Sequence, residues 1–321
     1  MEHVIITGGA GFIGSTLGQQ LIEEGYKVTV IDNFDPFYDK EIKRENIEQV
    51  WDHPNYTFLE LDITDYQALQ DQLVDRYDAI VHIAAKAGVR PSILDPVAHQ
   101  RVNVMGTQHL LEIAKEKQIK QFVFASSSSV YGVNPDVPWK ESDQNVLPIS
   151  PYASSKLSCE FLGHVYAKLY GIRFIALRFF TVYGPRQRPD LAIHKFAHKI
   201  LRGETIPMFG DGSSRRDYTY IGDILRGVRA AMRYDGSDYE VINLGNHHTV
   251  SLREMIATIE KVFEEKADIE QLPMQAGDVP QTYADISKAR RLLGYEPTTS
   301  FEEGIRLFRA WMMSTKIDKV Q

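Results

Sequence analysis

His3-Val4-Ile5-Ile6-Thr7-Gly8-Gly9-Ala10-Gly11-Phe12-Ile13-Gly14 decides the fold. The first five residues read as a short buried strand, and a helix is expected from the glycines to about Glu24, closed by Gly25. Glycines at 8, 11 and 14 lie three apart. The first suits a tight turn, the second lets backbone approach a pyrophosphate, and the third lets the helix pack on the strand with its N-terminus facing the phosphates. A glycine cluster alone is weak; the strand–turn–helix context is what the motif requires.

Working outward, Val28-Thr29-Val30-Ile31 reads as the second strand and ends at Asp32, eighteen residues past Gly14. That spacing suits a carboxylate on the adenosine ribose. A carboxylate there repels a ribose phosphate, so the cofactor is read as NAD and not NADP. Asn33 opens a loop toward a helix. Tyr56–Leu61 is a further strand, ending at Asp62-Ile63, where an adenine ring would sit. A helix is expected near Tyr66–Asp75. Ala79-Ile80-Val81-His82-Ile83-Ala84-Ala85 is an apolar strand with small residues at its tip, against which a cofactor can lie. Lys86–Arg90 reads as a loop and Pro96–Glu116 as one long helix carrying Asn103. Gln121–Ala125 reads as a strand leading into Ser126–Ser129. Strands alternating with helices predict an α/β fold, a doubly wound parallel sheet whose ligands bind outside the carboxyl ends of its strands.

Ser150-Pro151-Tyr152-Ala153-Ser154-Ser155-Lys156 reads as a helix start, with Ser150 as cap and Pro151 at the first position. Tyr152 and Lys156 are one turn apart on one face. An ammonium beside a phenol favours the phenolate, so the Tyr152 pKa is expected to fall, making it a proton acceptor. After the strand Arg173–Arg178 the alternation weakens, so the chain is divided into 1–178, a Rossmann cofactor domain, and 179–321, a smaller α/β substrate domain, with some segments returning to the first. Arg186, Arg188, Arg215 and Arg216 stand out in an acidic chain, and a diphosphate ligand would explain them.

Composition bounds the partners. The chain has 321 residues, 43% hydrophobic and 25% charged, as in ordinary globular proteins. A net charge of -7 argues against nucleic acid. The single cysteine, Cys159, excludes an internal disulfide and reads as a buried apolar residue. No basic n-region and no long apolar stretch is present, so neither a signal peptide nor a membrane span is expected, and the cytoplasm is the default. His194 and His198 lack an accompanying carboxylate ligand pattern, so no metal site is expected. His247-His248 reads as a turn, and Trp311, Met312 and Met313 as an apolar face of a C-terminal helix.

The glycine turn, Asp32, the serine run and Tyr152…Lys156 together resemble the extended short-chain dehydrogenase/reductase family, specifically the nucleotide-sugar 4-epimerases, essentially end to end. The subgroup it most resembles is the UDP-glucuronate 4-epimerases, through Asp32-Asn33-Phe34, Ala87–Arg90, Ser126–Gly132, Arg178–Pro185, Arg188–Asp190 and Met274–Asp285. Lys86 departs from that subgroup's frequent glutamine and resembles the lysine of UDP-galactose 4-epimerases; Ala276 replaces a frequent proline.

The resemblance implies reversible oxidation at sugar carbon 4 through a 4-keto intermediate, with NAD held tightly and regenerated. Tyr152 exchanges the hydroxyl proton, its pKa lowered by Lys156 and the nicotinamide charge; Ser127 positions the same oxygen; Lys156 also binds the nicotinamide ribose. It further implies cofactor contacts from Gly8, Gly11, Phe12, Ile13, Gly14, Asp32, Asn33, Asp62, Ile63, Ala84, Ala85, Lys86 and Asn103. Substrate contacts fall to Arg90, Ser127, Ser128, Thr181, Arg188, Arg216 and Asp278. Ser128 and Ser129 are neutral where 4,6-dehydratases carry an acid pair and related decarboxylases a glutamate. UDP-glucuronate/UDP-galacturonate interconversion is therefore expected. UDP-glucose or UDP-N-acetylglucosamine epimerisation is the alternative, and a non-catalytic dinucleotide sensor a remote one. A homodimer through a helical bundle is the family expectation.

Overall fold

A computed structural model describes residues 1–273 and 279–315. Six strands alternate with helices through the first half: β1 His3–Thr7, β2 Lys27–Asp32, β3 Tyr56–Glu60, β4 Ala79–His82, β5 Gln121–Ser127 and β6 Arg173–Phe179. All pair in parallel, in the order β6-β5-β4-β1-β2-β3. The central strands are buried along almost their whole length. Parallel strands covered by helices on both faces are expected to be apolar throughout, and that is how these segments read. The two sheet faces carry separate cores, one around Val4, Val30 and Leu177 and another around Ile5, Leu110 and Phe174.

Two glycines of the first turn are required by geometry. Gly8 has φ +68°, and a Cβ on it would lie 2.8 Å from the Ala84 backbone. A Cβ on Gly14 would lie 2.3 Å from the Gly8 carbonyl oxygen, which is how closely helix Phe12–Glu23 meets the strand turn. The helix Pro151–Tyr170 starts as expected: Ser150 Oγ accepts the Ala153 N–H at 3.1 Å and Pro151 sits at the first position. Gly171, in the left-handed region, ends it.

Several expectations are refined. The helix after β3 runs only over Tyr66–Gln72. The helix Pro96–Glu116 is interrupted by a π-helical stretch, Gln100–Met105, that contains Asn103. Such widened turns re-aim side chains and collect at functional sites.

Beyond β6 the chain forms small pieces. Thr181–Tyr183 pairs with Tyr218–Tyr220, Arg215–Arg216 with Val250–Ser251, and Ile206–Phe209 with Ile269–Leu272. They share a third core of Tyr183, Phe196, Ile206, Met255, Ile259 and Phe308. The strand Tyr239–Leu244 leaves that group and joins the main sheet as a seventh parallel strand beside β6.

Candidate active site

Tyr152 and Lys156 project from the first turns of helix Pro151–Tyr170 toward the end of β5. Lys156 is 3% exposed; its Nζ donates to the Ala125 carbonyl at 2.7 Å and sits 4.7 Å above the Phe124 ring. Burial lowers its pKa to about 8, although Cys159 and Glu160 pull the other way. Tyr152 is partly exposed in the cleft, and the Ser127 hydroxyl hydrogen-bonds its phenol.

The expected fall in the Tyr152 pKa is corrected here. Burial raises it, outweighing the Ser127 hydrogen bond and the positive charge of Arg188. Lys156 is turned onto the Ala125 carbonyl and does not dominate the phenol's surroundings. The hydrogen-bonded neighbour and the cation are in place, but the phenol of this cleft is protonated at neutral pH.

The residues expected to meet the cofactor lie around the carboxyl ends of β1, β2, β3 and β4. Gly11 caps helix Phe12–Glu23 with no side-chain hydrogen bond to its first N–H groups, and the Tyr38 hydroxyl is the side-chain group nearest to Gly11. Asp32, 7% exposed, accepts the Ala10 and Phe34 N–H groups at 3.1 and 2.9 Å. Lys43 lies 3.5 Å from its carboxylate. Asn33 Nδ2 donates to Asp62 at 3.1 Å. Burial works against the Asp62 carboxylate, but hydrogen bonds from Thr64 and Asn33 hold its pKa below the usual value. Ile63 packs against Gly106, where a Cβ would meet it at 2.6 Å. Ala84 N–H donates to Thr7, and Ala84 and Ala85 are partly exposed at the tip of β4.

Asn103 stands behind this row. Its oxygen accepts the Lys86 N–H at 2.8 Å, and its amide donates to the Lys86 carbonyl at 3.0 Å and to Ser155 at 2.9 Å. Its side chain braces the loop after β4 against the Tyr152 helix. The Lys86 ammonium pairs with Asp35 at 3.2 Å.

Of the residues expected to meet the substrate, Arg188 lies near enough to Tyr152 for its positive charge to pull the phenol's pKa down. It is held bidentately by Asp190 at 2.9 and 2.7 Å and lies 5.1 Å over the Phe37 ring. Ser128 is buried at the start of the turn that follows Ser127, and Thr181 is partly exposed just past β6. Arg90 is exposed, 5.9 Å over the Phe209 ring, and Arg216 Nη1 donates to the Arg215 carbonyl. Asp278 lies outside the described residues. A cavity of about 1350 Å³ opens between helices Lys40–Ile47 and Ala192–Leu201, and Tyr152, Lys156 and Ser127 are not in its lining.

The sequence reading missed Lys43, Asp35 and Asp190, each the ionic partner of a residue it had picked. It also missed Asp217, buried and pushed up to about 6 by burial despite N–H donors from Asn246 and Ala284. Lys43, Asp35 and Asp217 carry no motif, and only the tertiary approach of their elements reveals them; Asp190 lies two residues from Arg188 in the segment already singled out.

A family model described as GDP-mannose 4,6 dehydratase matches residues 5–308. The chain belongs to that family. Within it the chain is an extended short-chain dehydrogenase/reductase of the nucleotide-sugar 4-epimerase group. A UDP-glucuronate 4-epimerase of Thermodesulfobacterium geofontis is 40% identical over 315 residues, covering 97% of this chain and 96% of that one. The crystal structure of a Bacillus cereus UDP-glucuronic acid 4-epimerase with UDP-glucuronic acid and NAD is 38% identical, with a TM-score of 0.90 over 97% of this chain and 99% of that one. A Thermotoga maritima UDP-glucose 4-epimerase with UDP-glucose is 32% identical, with a TM-score of 0.87 over 97% and 98%.

Proposed function

We propose that this nucleotide-sugar epimerase acts with NAD on UDP-glucuronate and UDP-galacturonate, inverting carbon 4. The observation that carries the uronic acid reading is the Arg188 cation beside the Tyr152 phenol. The carbon next to carbon 4 bears the carboxylate in a uronic acid, so a guanidinium at the proton-transfer group is suited to meet it. The cradle fits NAD: the first N–H groups of the helix capped by Gly11 carry no side-chain cap and suit a pyrophosphate, and buried Asp32 suits a ribose without phosphate. Bound there, NAD⁺ would supply a reversible hydride acceptor for carbon 4.

The chain's own residues handle the proton and the orientation. Ser127, hydrogen-bonded to Tyr152, holds the 4-oxygen in line with the phenol. Tyr152, protonated in the cleft by itself, would be ionised by the positive charge that a bound NAD⁺ brings; it then takes the hydroxyl proton and returns it after the 4-keto sugar has turned over. Lys156, buried one turn below with its Nζ on the Ala125 carbonyl, would hold the nicotinamide ribose at that end of the cleft. A 4-keto uronic acid is a β-keto acid and loses carbon dioxide readily. Arg188, Ser128 and Thr181 restrain the carboxylate by hydrogen bonds, and neutral Ser128 and Ser129 offer no acid for elimination.

The remaining roles follow the same reading. Residues 1–178 with the returning strand Tyr239–Leu244 serve the cofactor, and the rest serves the sugar nucleotide, with Arg90, Arg216 and Asp278 at its diphosphate and uridine. The protein works as a homodimer. Phe161, Val165 and Leu169 recur at four-residue spacing along helix Pro151–Tyr170, and Leu94 and Val97 lie on the neighbouring helices; all five are exposed in the single chain. Among the described residues no helix is long and apolar enough to cross a membrane, and a cytoplasmic enzyme fits. The test is the ratio of kcat/KM for UDP-glucuronate to that for UDP-glucose. A ratio above about 10² agrees with an ionic contact held in the transition state. A preference for the neutral sugar would instead assign the site to Lys86-type epimerases.

A further inference from the structure

Glu160 lies one turn past Lys156 on the same helix and is 2% exposed. A buried carboxylate needs a full set of partners. Arg178 supplies a fork, Nε at 3.0 Å and Nη2 at 2.8 Å. Ser126 Oγ donates a third hydrogen bond at 2.5 Å. Arg178 is 4% exposed and sits on β6 directly opposite Ser126 of β5. Its guanidinium lies 4.7 Å over the Tyr131 ring, and Tyr131 in turn donates to Asn243 at 2.7 Å.

The pair thus joins four pieces: the Tyr152 helix, the last residues of β5, β6, and the Ser128–Tyr131 turn. Each piece carries or borders a catalytic group. Successive side chains alternate across a strand, so anchoring Ser126 below the sheet fixes Ser127 on the cleft side, against Tyr152. Neither Glu160 nor Arg178 reaches the cleft itself. Resting on the epimerase reading above, we propose that the buried Glu160–Arg178 pair is the positioning device of the catalytic set, locking Ser127 to the helix that carries Tyr152 and Lys156 and standing a carboxylate one turn from the Lys156 ammonium.

The charge has a direct consequence. The groups around Lys156 are the Ala125 carbonyl and Phe124 ring from β5, His82 from β4, and Cys159 and Glu160 from its own helix. Burial and the Lys156 charge keep His82 uncharged. Cys159 and Glu160 both pull the Lys156 pKa up against its burial, and Glu160 is the carboxylate of the two.

The test is a pH titration of the Lys156 side chain by NMR in full-length, NAD-loaded protein labelled with ¹³C at lysine Cε, assigned with Lys156→Arg. No sugar is needed, so the result is independent of which substrate is correct. In Glu160→Gln the midpoint is expected to fall by about one pH unit, the size of shift a lost neighbouring charge produces. In Glu160→Gln/Arg178→Met, which removes both charges and leaves none stranded, it falls by less but in the same direction. On the active sugar, kcat falls while KM changes little, and the alkaline limb of the kcat profile moves acidward with the titration. If Glu160→Gln does not fold, the double variant decides. An unmoved Lys156 midpoint in a folded variant, with kcat unchanged or lowered equally at every pH, overturns the proposal. Failure of the parent to epimerise any UDP-sugar would refute the functional reading and leave the titration to judge this one.

Discussion

Replacing Lys156 by methionine should stabilise the fold while abolishing turnover. Burial holds the ammonium at a pKa of about 8 against an ordinary 10.5. At about 1.4 kcal/mol per pH unit, that difference costs the folded state roughly 3 kcal/mol at pH 7. Methionine removes the cost but also takes the hydrogen bond from the Ala125 carbonyl and the contact over Phe124. Those losses are about 1 kcal/mol each. The net gain is about 1–2 kcal/mol, or roughly 2–4 °C in Tm for a chain of this size. The sign follows from linkage. A lysine whose folded pKa is depressed penalises folding fully below that pKa, and the penalty vanishes as pH rises to the unfolded value. The gap between variant and parent should therefore be largest below pH 8 and close between 8 and 10.5. Thermal and urea unfolding of nucleotide-free protein at pH 7 and pH 10 measures it. A Lys156→Met protein less stable than the parent at pH 7 would refute the claim that the site holds this charge at the expense of stability.

Other substitutions probe separate parts of the site. Tyr152→Phe should keep NAD bound, seen by absorbance of the purified protein, and lose about 10²–10⁴-fold in kcat, the usual contribution of a positioned proton-transfer group. Asp32→Ser should let NADP compete with NAD in a binding titration, because the carboxylate that accepts the Ala10 and Phe34 N–H groups also repels a ribose phosphate; continued exclusion of NADP would assign the discrimination elsewhere. Phe161→Glu, at a side chain 65% exposed in the single chain, should convert a dimer to a monomer by light scattering, and a parent that is itself monomeric would contradict the proposed interface.

Much of the sheet was legible because each strand announces itself in a short window. Val4–Ile6 and Ala79–Val81 are unbroken apolar runs, as expected of strands covered on both faces. The glycine turn was legible for a steric reason now visible at Gly8 and Gly14. The helix start at Ser150-Pro151 was legible because capping is a local interaction. What failed was electrostatics. The pairing of Tyr152 with Lys156 could be placed on one helix face, but which way the ammonium points depends on the Ala125 carbonyl of a distant strand. Burial of the phenol, which raises its pKa, is likewise a property of the assembled cleft. The π-helical turn at Asn103 arises from packing between elements that no spacing rule connects, whereas the Arg188–Asp190 pair, two residues apart in one loop, is a local contact whose importance only the nearby Tyr152 reveals.

The most direct test of the central claim is incubation of the purified protein with UDP-glucuronate and no added cofactor, with the sugar nucleotides separated by anion exchange. The account predicts a mixture of UDP-glucuronate and UDP-galacturonate, formed with the NAD the protein already holds. A UDP-pentose product would mean that carbon dioxide is lost at the 4-keto stage, contradicting the restraint assigned to Arg188, Ser128 and Thr181. No change in the sugar, even after NAD⁺ is added, would contradict the uronic acid substrate itself.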